Sequence, residues 1–249
     1  MKVKEILDFL NGIAPIETAE HYDNVGLLVG DPEAEISGIL VSLDCFDEVI
    51  DRAEDLGANL IVTHHPIIFN PLKSVLSDSL VYKLVSKNIS VISMHTNLDV
   101  AEGGVNDVLC QAIGLYDVKT VAAHDGFLLR IGELDGAEDP YFFARHLKEV
   151  LGGTVKFVAG NRDIKTVMVC SGSGSGFTFD AVAQGVDAYV TAEVKHSHFI
   201  AAADLGLSLF DAGHFNTEDI IVSSLTRDIS GAFPEIDVNE CHFSKIESI

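Results

Sequence analysis

The stretch Asn59 to Phe69, NLIVTHHPIIF, constrains this chain most. An apolar run of Leu60, Ile61 and Val62 stops at Thr63 and two adjacent histidines, and Pro66 prevents the strand from continuing. This is the pattern of a buried parallel strand whose polar end opens into a loop. In open α/β sheets ligands gather outside the carboxyl ends of the strands, so His64 and His65 stand where chemistry is usually done. Successive side chains on an extended chain diverge, so the two imidazoles are expected to serve different ions of a close pair rather than one ion together. A two-metal site is the resulting expectation.

The elements around this strand alternate. A helix is predicted over Val3 to Ile13, with apolar residues at Val3, Ile6, Leu7, Leu10 and Ile13 and Pro15 beyond its end. A turn at Asp23-Asn24 leads into a strand closed by Gly30, and Gly38 to Asp44 reads as a buried strand ending in an acid. Helices follow over Phe46 to Leu56 and over Ser79 to Lys87, the second with Leu80, Val81, Leu84 and Val85 inward. Ile89 to Thr96 is a further strand with a polar exit, and a helix from Val105 to Ile113 follows Gly103-Gly104. Short connections between such elements imply right-handed crossovers and a largely parallel sheet.

The second half repeats the habit. It has a strand over Gly126 to Leu134, a helix from Pro140 to Leu151, and a strand at Thr166 to Cys170 running into Ser171-Gly-Ser-Gly-Ser-Gly176. A short helix over Phe179 to Gln184, a strand at Ala188 to Thr191, a helix at Lys195 to Leu205 and a strand at Leu207 to Phe210 come next. Asn216 or Thr217 is expected to cap a last helix reaching about Ile229, reinforced by Asp219. A tail strand over Ile236 to Phe243 is free to join either sheet. The fold class is therefore α/β, with two similar domains, 1–122 and 123–249, each holding a mixed, largely parallel sheet.

Composition excludes several functions. With 249 residues and 47% hydrophobic content the chain has ample material for real cores. The 38 acidic and 16 basic residues give a formal charge of -22, which disfavours non-specific binding to nucleic acid or anionic membrane. An anionic substrate would need local positive charge, and bound metal ions are a ready source of it. No apolar run approaches the ~20 residues that span a bilayer, and the opening MKVKEILDFLNGI reads as an amphipathic helix rather than a secretion signal. Cys45, Cys110, Cys170 and Cys241 are scattered, which fits buried reduced thiols and a cytoplasmic location.

Other strand ends carry residues able to join the histidine pair. Asp99 follows the strand that ends at His95, and His214 and Glu218 straddle the exit of the last strand of the second half. Three imidazoles and two carboxylates suit Zn, Fe, Mn or Co better than Ca or Mg. If Glu218 bridges, one ion takes His64 and His214, and the other His65 and Asp99. Such a pair lowers the pKa of bound water and clamps attacking and leaving oxygens, which is hydrolytic machinery. His95 is weighed as a catalytic proton-transfer group or an outer partner of the ligands, against a satisfied core histidine. His196 and His198 are two apart on a helix and do not share a face, and His124 reads as turn polarity. The glycine run 172–176 offers backbone N–H groups to a phosphate, but it lacks the Walker and Rossmann spacings, and such glycines more often permit a sharp, tightly packed turn.

Five motifs together, Tyr22-Asp-Asn-Val-Gly-Leu-Leu-Val-Gly30, Thr63-His-His-Pro-Ile-Ile-Phe69, His95-Thr-Asn-Leu-Asp99, Gly103-Gly-Val-Asn106 and Gly213-His-Phe-Asn-Thr-Glu218, resemble the Nif-three-like dinuclear metal centre family. Its members are commonly labelled type 2 homologues of GTP cyclohydrolase I, and the chain resembles the short form without an inserted middle domain. The resemblance implies that His64, His65, Asp99, His214 and Glu218 ligate two divalent ions, Glu218 touching both. It also implies intertwined α/β domains with the metals in the cleft between them, and a toroidal homohexamer. Tyr22 stands where tryptophan is usual, and Thr191-Ala-Glu-Val replaces a more usual Thr-Gly-Asp or Thr-Gly-Glu, with neither departure expected to touch a ligand. The function expected is a metal-dependent hydrolase that uses a metal-bound hydroxide on a small molecule, such as a nucleotide; the alternative is a non-catalytic, metal-stabilised scaffold.

Overall fold

Apolar side chains at helical spacing form the first element, α1 (Val3–Ile13), which buries Val3, Ile6 and Leu10. The Lys2 backbone N–H donates to Glu5 Oε2 at 2.6 Å and closes its first turn. In this computed structural model, which describes residues 1–247, the chain forms two compact units, Met1–Glu102 with Ile221–Lys245, and Gly103–Ile220.

The first unit continues through β1 (Gly26–Val29), β2 (Ile39–Ser42), α2 (Asp47–Asp55), β3 (Leu60–Thr63), α3 (Leu80–Ser86), β4 (Ser90–Ser93) and a single-turn α4 (Thr96–Val100). Strands β2, β3 and β4 pair in parallel, Leu40 opposite Ile61 and Ile61 opposite Val91, while β1 runs antiparallel to β4. All four residues of each of these parallel strands are buried, which explains the unbroken apolar runs. Leu40, Ile61 and Val91 pack against Val49, Ile50 and Ala53 of α2 and Leu84 of α3. Val85, expected inward, is 60% exposed; α3 has only seven residues and turns a narrow stripe centred on Leu84 inward.

The second unit holds α5 (Val105–Ala112), β5 (Tyr116–Ala122), β6 (Leu128–Glu138), α6 (Pro140–Leu151), β7 (Lys156–Val158), β8 (Ile164–Val169), α7 (Thr178–Gln184), β9 (Ala188–Thr191), α8 (His196–Leu205), β10 (Ser208–Asp211) and α9 (His214–Glu218). Its sheet order is β5-β6-β8-β9-β10-β7, with β8, β9 and β10 parallel and the outer pairings antiparallel. Period-two alternation divides its side chains cleanly between two cores. Val167, Val169, Val190 and Phe210 face Phe143 and Leu147 of α6 and Leu109 of α5. Met168, Tyr189 and Leu209 face Ala181 of α7 and Ala202 of α8.

The chain then returns to the first unit through α10 (Ile220–Ala232) and β11 (Val238–Cys241), which pairs in parallel with β2. This decides the tail strand in favour of the first sheet. The passage into the second unit falls at Gly103, earlier than the expected boundary after 122, because Leu109, Cys110 and Ile113 pack into the second unit's core.

Cys45 and Cys110 are buried, and burial pushes both thiols up to about 12. Both stay protonated at neutral pH, so an aromatic disulfide reagent is expected to modify half-buried Cys241 first and these two only on unfolding. Modification of Cys110 in the native protein at the rate of Cys241 would contradict this.

Candidate metal centre

In the first unit the site residues leave the carboxyl ends of three neighbouring parallel strands. Asp44 follows β2, His64 and His65 follow β3, and His95 follows β4. The chain bends at His64-His65 instead of staying extended, so the two rings lie 5.1 Å apart and do not diverge as expected. His95 joins them, its ring 5.2 Å from His64 and 5.7 Å from His65. These three histidines present ring nitrogens within 4.8 Å of one another.

Each imidazole is oriented by an oxygen at Nδ1. His64 Nδ1 lies 2.8 Å from the Met94 carbonyl, His65 Nδ1 2.8 Å from Asp44 Oδ1, and His95 Nδ1 2.9 Å from Asp23 Oδ1. A carbonyl or carboxylate acceptor places the proton on Nδ1 and turns the lone pair of Nε2 toward a ligand, the arrangement that metal-binding histidines use. Asp99, on α4, brings Oδ1 to 3.7 Å from His64 Nε2 and is itself buried. The helix that carries Asp99 is capped from far away in sequence. Asp23 Oδ2 accepts from the Thr96 backbone N–H at 3.0 Å and from its hydroxyl at 2.5 Å. Burial alone would raise the Asp23 carboxyl, but the His95 and Thr96 hydrogen bonds outweigh it and hold the group far below the usual carboxylate range.

The second unit repeats the device. Ser171 and Gly172 follow β8, Glu193 follows β9, and Gly213 follows β10. Gly213, at φ +87, starts α9 at His214, so Asn216 and Thr217 lie inside the helix rather than capping it. The Asn216 amide donates to the Leu151 carbonyl at 3.0 Å, and the Thr217 hydroxyl accepts the Gly172 N–H at 3.0 Å. The earlier start makes His214 and Glu218 an i, i+4 pair on one face, with His214 Nε2 2.9 Å from Glu218 Oε2. His214 Nδ1 is held 2.9 Å from Glu193 Oε1. Glu193, expected not to touch a ligand, therefore orients one, and it does so from a left-handed backbone at φ +52. Burial would raise its carboxyl, and hydrogen bonds from His214 and Ser173 lower it instead.

Gly172, at φ +56, lies under the same pair. A Cβ there would overlap Glu218 Oε1 and lie 3.2 Å from His214 Nε2. A Cβ at Gly174 would meet Thr191 Oγ1 at 2.5 Å and Cys170 Sγ at 2.6 Å, so the run is a tightly packed turn. His124 pairs with Asp180 at 2.9 Å, and His196 and His198 sit on α8 outside every candidate metal group among the described residues.

The Duf34/NIF3 (NGG1p interacting factor 3) profile matches residues 1–248. The chain belongs to the Duf34/NIF3 family. It is 36% identical over 230 residues to a Clostridium perfringens protein named GTP cyclohydrolase 1 type 2 homolog, covering 88% of this chain and 87% of that one. A Clostridium acetobutylicum protein of the same name is 32% identical over 251 residues, covering 96% and 93%. Among solved structures, a Staphylococcus aureus hypothetical protein superposes with a TM-score of 0.93 at 29% identity over 100% of this chain and 99% of that one. Reduced HcgD from Methanocaldococcus jannaschii superposes with a TM-score of 0.84 at 28% identity, covering 98% of each chain. No helix among the described residues of this Duf34/NIF3 protein is long and apolar enough to cross a membrane.

The donor chemistry fits divalent transition metals. Imidazole nitrogens with fixed tautomers and a buried carboxylate in each unit are the groups that Zn, Fe and Mn take. Reading the Duf34/NIF3 sequence alone missed the partners Asp23, Asp44 and Glu193. Asp44 had a visible signal, an acid ending a buried strand, whereas nothing local ties Asp23 or Glu193 to a histidine.

Proposed function

We propose that this chain is a metal-dependent hydrolase holding two divalent ions through His64, His65, Asp99, His214 and Glu218. The observation that carries the reading is the shared treatment of His64, His65 and His214, each with Nδ1 held by an oxygen acceptor, which leaves Nε2 as the atom that can ligate. When bound, the ions supply Lewis acidity and lower the pKa of water. The protein's own work is positional. Asp44, Glu193 and the Met94 carbonyl hold the rings in one tautomer and orientation. Asp23 holds His95 through Nδ1, so that its Nε2 can take a proton from water or return one to a leaving group. The homohexamer implied by the family resemblance belongs to the same proposal.

The strong net negative charge favours a second reading, a metal-stabilised scaffold that catalyses nothing. A panel of GTP, cyclic nucleotides and phosphoesters, assayed with the protein reconstituted in Mn, Fe or Zn, separates the two. Turnover well above the chelated control is expected. Uniform silence across the panel, with elemental analysis showing both ions bound, would favour the scaffold.

A further inference from the structure

Two large aromatic side chains stand in the open beside the histidine cluster of the first unit. Tyr22 is 57% and Phe69 43% exposed, and their rings meet at 6.4 Å with a 60° interplanar angle. Phe69 also lies 6.2 Å from the His95 ring at 83°. Since His95 is itself in ring contact with His64 and His65, the aromatic pair begins one ring away from the proposed ligands.

These aromatics are held in place although they are solvated. The Asn24 amide donates to the Ile68 carbonyl at 2.5 Å, tying the segment that carries Tyr22 to the segment that carries Phe69. Asp23 is bonded to His95 and Thr96, and the Glu20 N–H donates to Thr96 Oγ1 at 2.9 Å. Exposed aromatic surface on ordered backbone has a recognised use, the stacking of flat rings, which does not depend on base identity. The formal charge of -22 opposes capture of a polyanion by the protein surface, so a flat ring is the handle that this surface can grip.

We infer that Tyr22 and Phe69 form a ring-binding wall, and that the substrate carries a planar heteroaromatic ring of nucleobase type, recognised by stacking rather than by phosphate contacts. The inference deepens the hydrolase reading and rests on it for the identity of the site. Leucine at either position keeps apolar bulk and loses the π face, whereas Phe69→Tyr keeps the face.

The test measures binding of guanosine, adenosine and nicotinamide to the Zn-reconstituted full-length protein by ligand-observed NMR, with ribose 5-phosphate as the ringless comparison. Metal content is determined on each sample. At least one ring compound is expected to bind, more tightly than ribose 5-phosphate. Phe69→Leu and Tyr22→Leu should weaken it by roughly 5- to 100-fold, the range that stacking energies allow, with Phe69→Tyr close to wild type and bound zinc unchanged throughout. Absence of binding by all three ring compounds, or equal binding by the leucine variants, overturns the wall whatever the zinc content. Ring binding that depends on Phe69 in a protein that takes up no zinc would instead leave the wall standing and remove the metal reading.

Discussion

Glu218→Ala is expected to strip the protein of both ions and of all hydrolytic turnover. Glu218 is 4% exposed and holds Oε2 2.9 Å from His214 Nε2, so its carboxylate is oriented for work before any ion arrives. In the proposed site it is the ligand shared between the metals. Loss of an outer hydrogen-bond partner of a ligand already costs ~10–100-fold in metal affinity, and removal of a shared ligand should exceed that for both ions. Elemental analysis after dialysis against metal-free buffer, paired with the substrate panel, checks it. A Glu218→Ala protein that keeps two ions per chain, or turns over substrate when metal-free, would falsify the assignment.

Much of this was legible because the parallel strands are short and buried on both faces. Apolar runs of about four residues that end in polar side chains mark β2, β3, β4, β8, β9 and β10, and the site residues lie just beyond their carboxyl ends. Other elements were hidden for identifiable reasons. Strand β5 lies at a sheet edge with nearly every residue exposed, so it shows no apolar alternation, and β7 has only three residues. Helix α4 is a single turn whose cap comes from Asp23, 73 residues earlier, and no local pattern announces a helix made that way. Asn216 and Thr217 are capping residue types, but α9 begins before them at His214, and their side chains bond the Leu151 carbonyl and the Gly172 N–H from inside the helix. The five proposed ligands could be picked out from the sequence; of the acids that orient His65, His95 and His214, only Asp44 leaves a trace there, as the acid ending a buried strand, because pairing across strand ends is a property of the assembled sheet.

The glycine run after β8 offers a sharper test, because its three glycines differ in what a methyl group would meet. Gly172→Ala is expected to abolish metal binding by the second unit's donors while leaving the fold in place. The backbone at Gly172 is pinned on several sides. Its N–H is donated to Thr217 Oγ1 at 3.0 Å, its carbonyl accepts the Ala192 N–H at 3.0 Å, and the preceding Ser171 N–H is donated to Asn106 Oδ1 at 2.8 Å. With the loop so held, the added Cβ displaces what it overlaps, the Glu218 carboxylate, rather than moving the loop. The left-handed φ of +56 adds a penalty of about 1 kcal/mol, too small to unfold a domain. Gly176→Ala is the internal control, since a Cβ there has nothing within 4 Å and its backbone is not left-handed. The two variants should melt within a few degrees of each other as metal-free proteins, with only Gly176→Ala binding zinc at the wild-type stoichiometry. Full zinc uptake by Gly172→Ala would mean that Glu218 can ligate from another position, and that the glycine serves the turn alone.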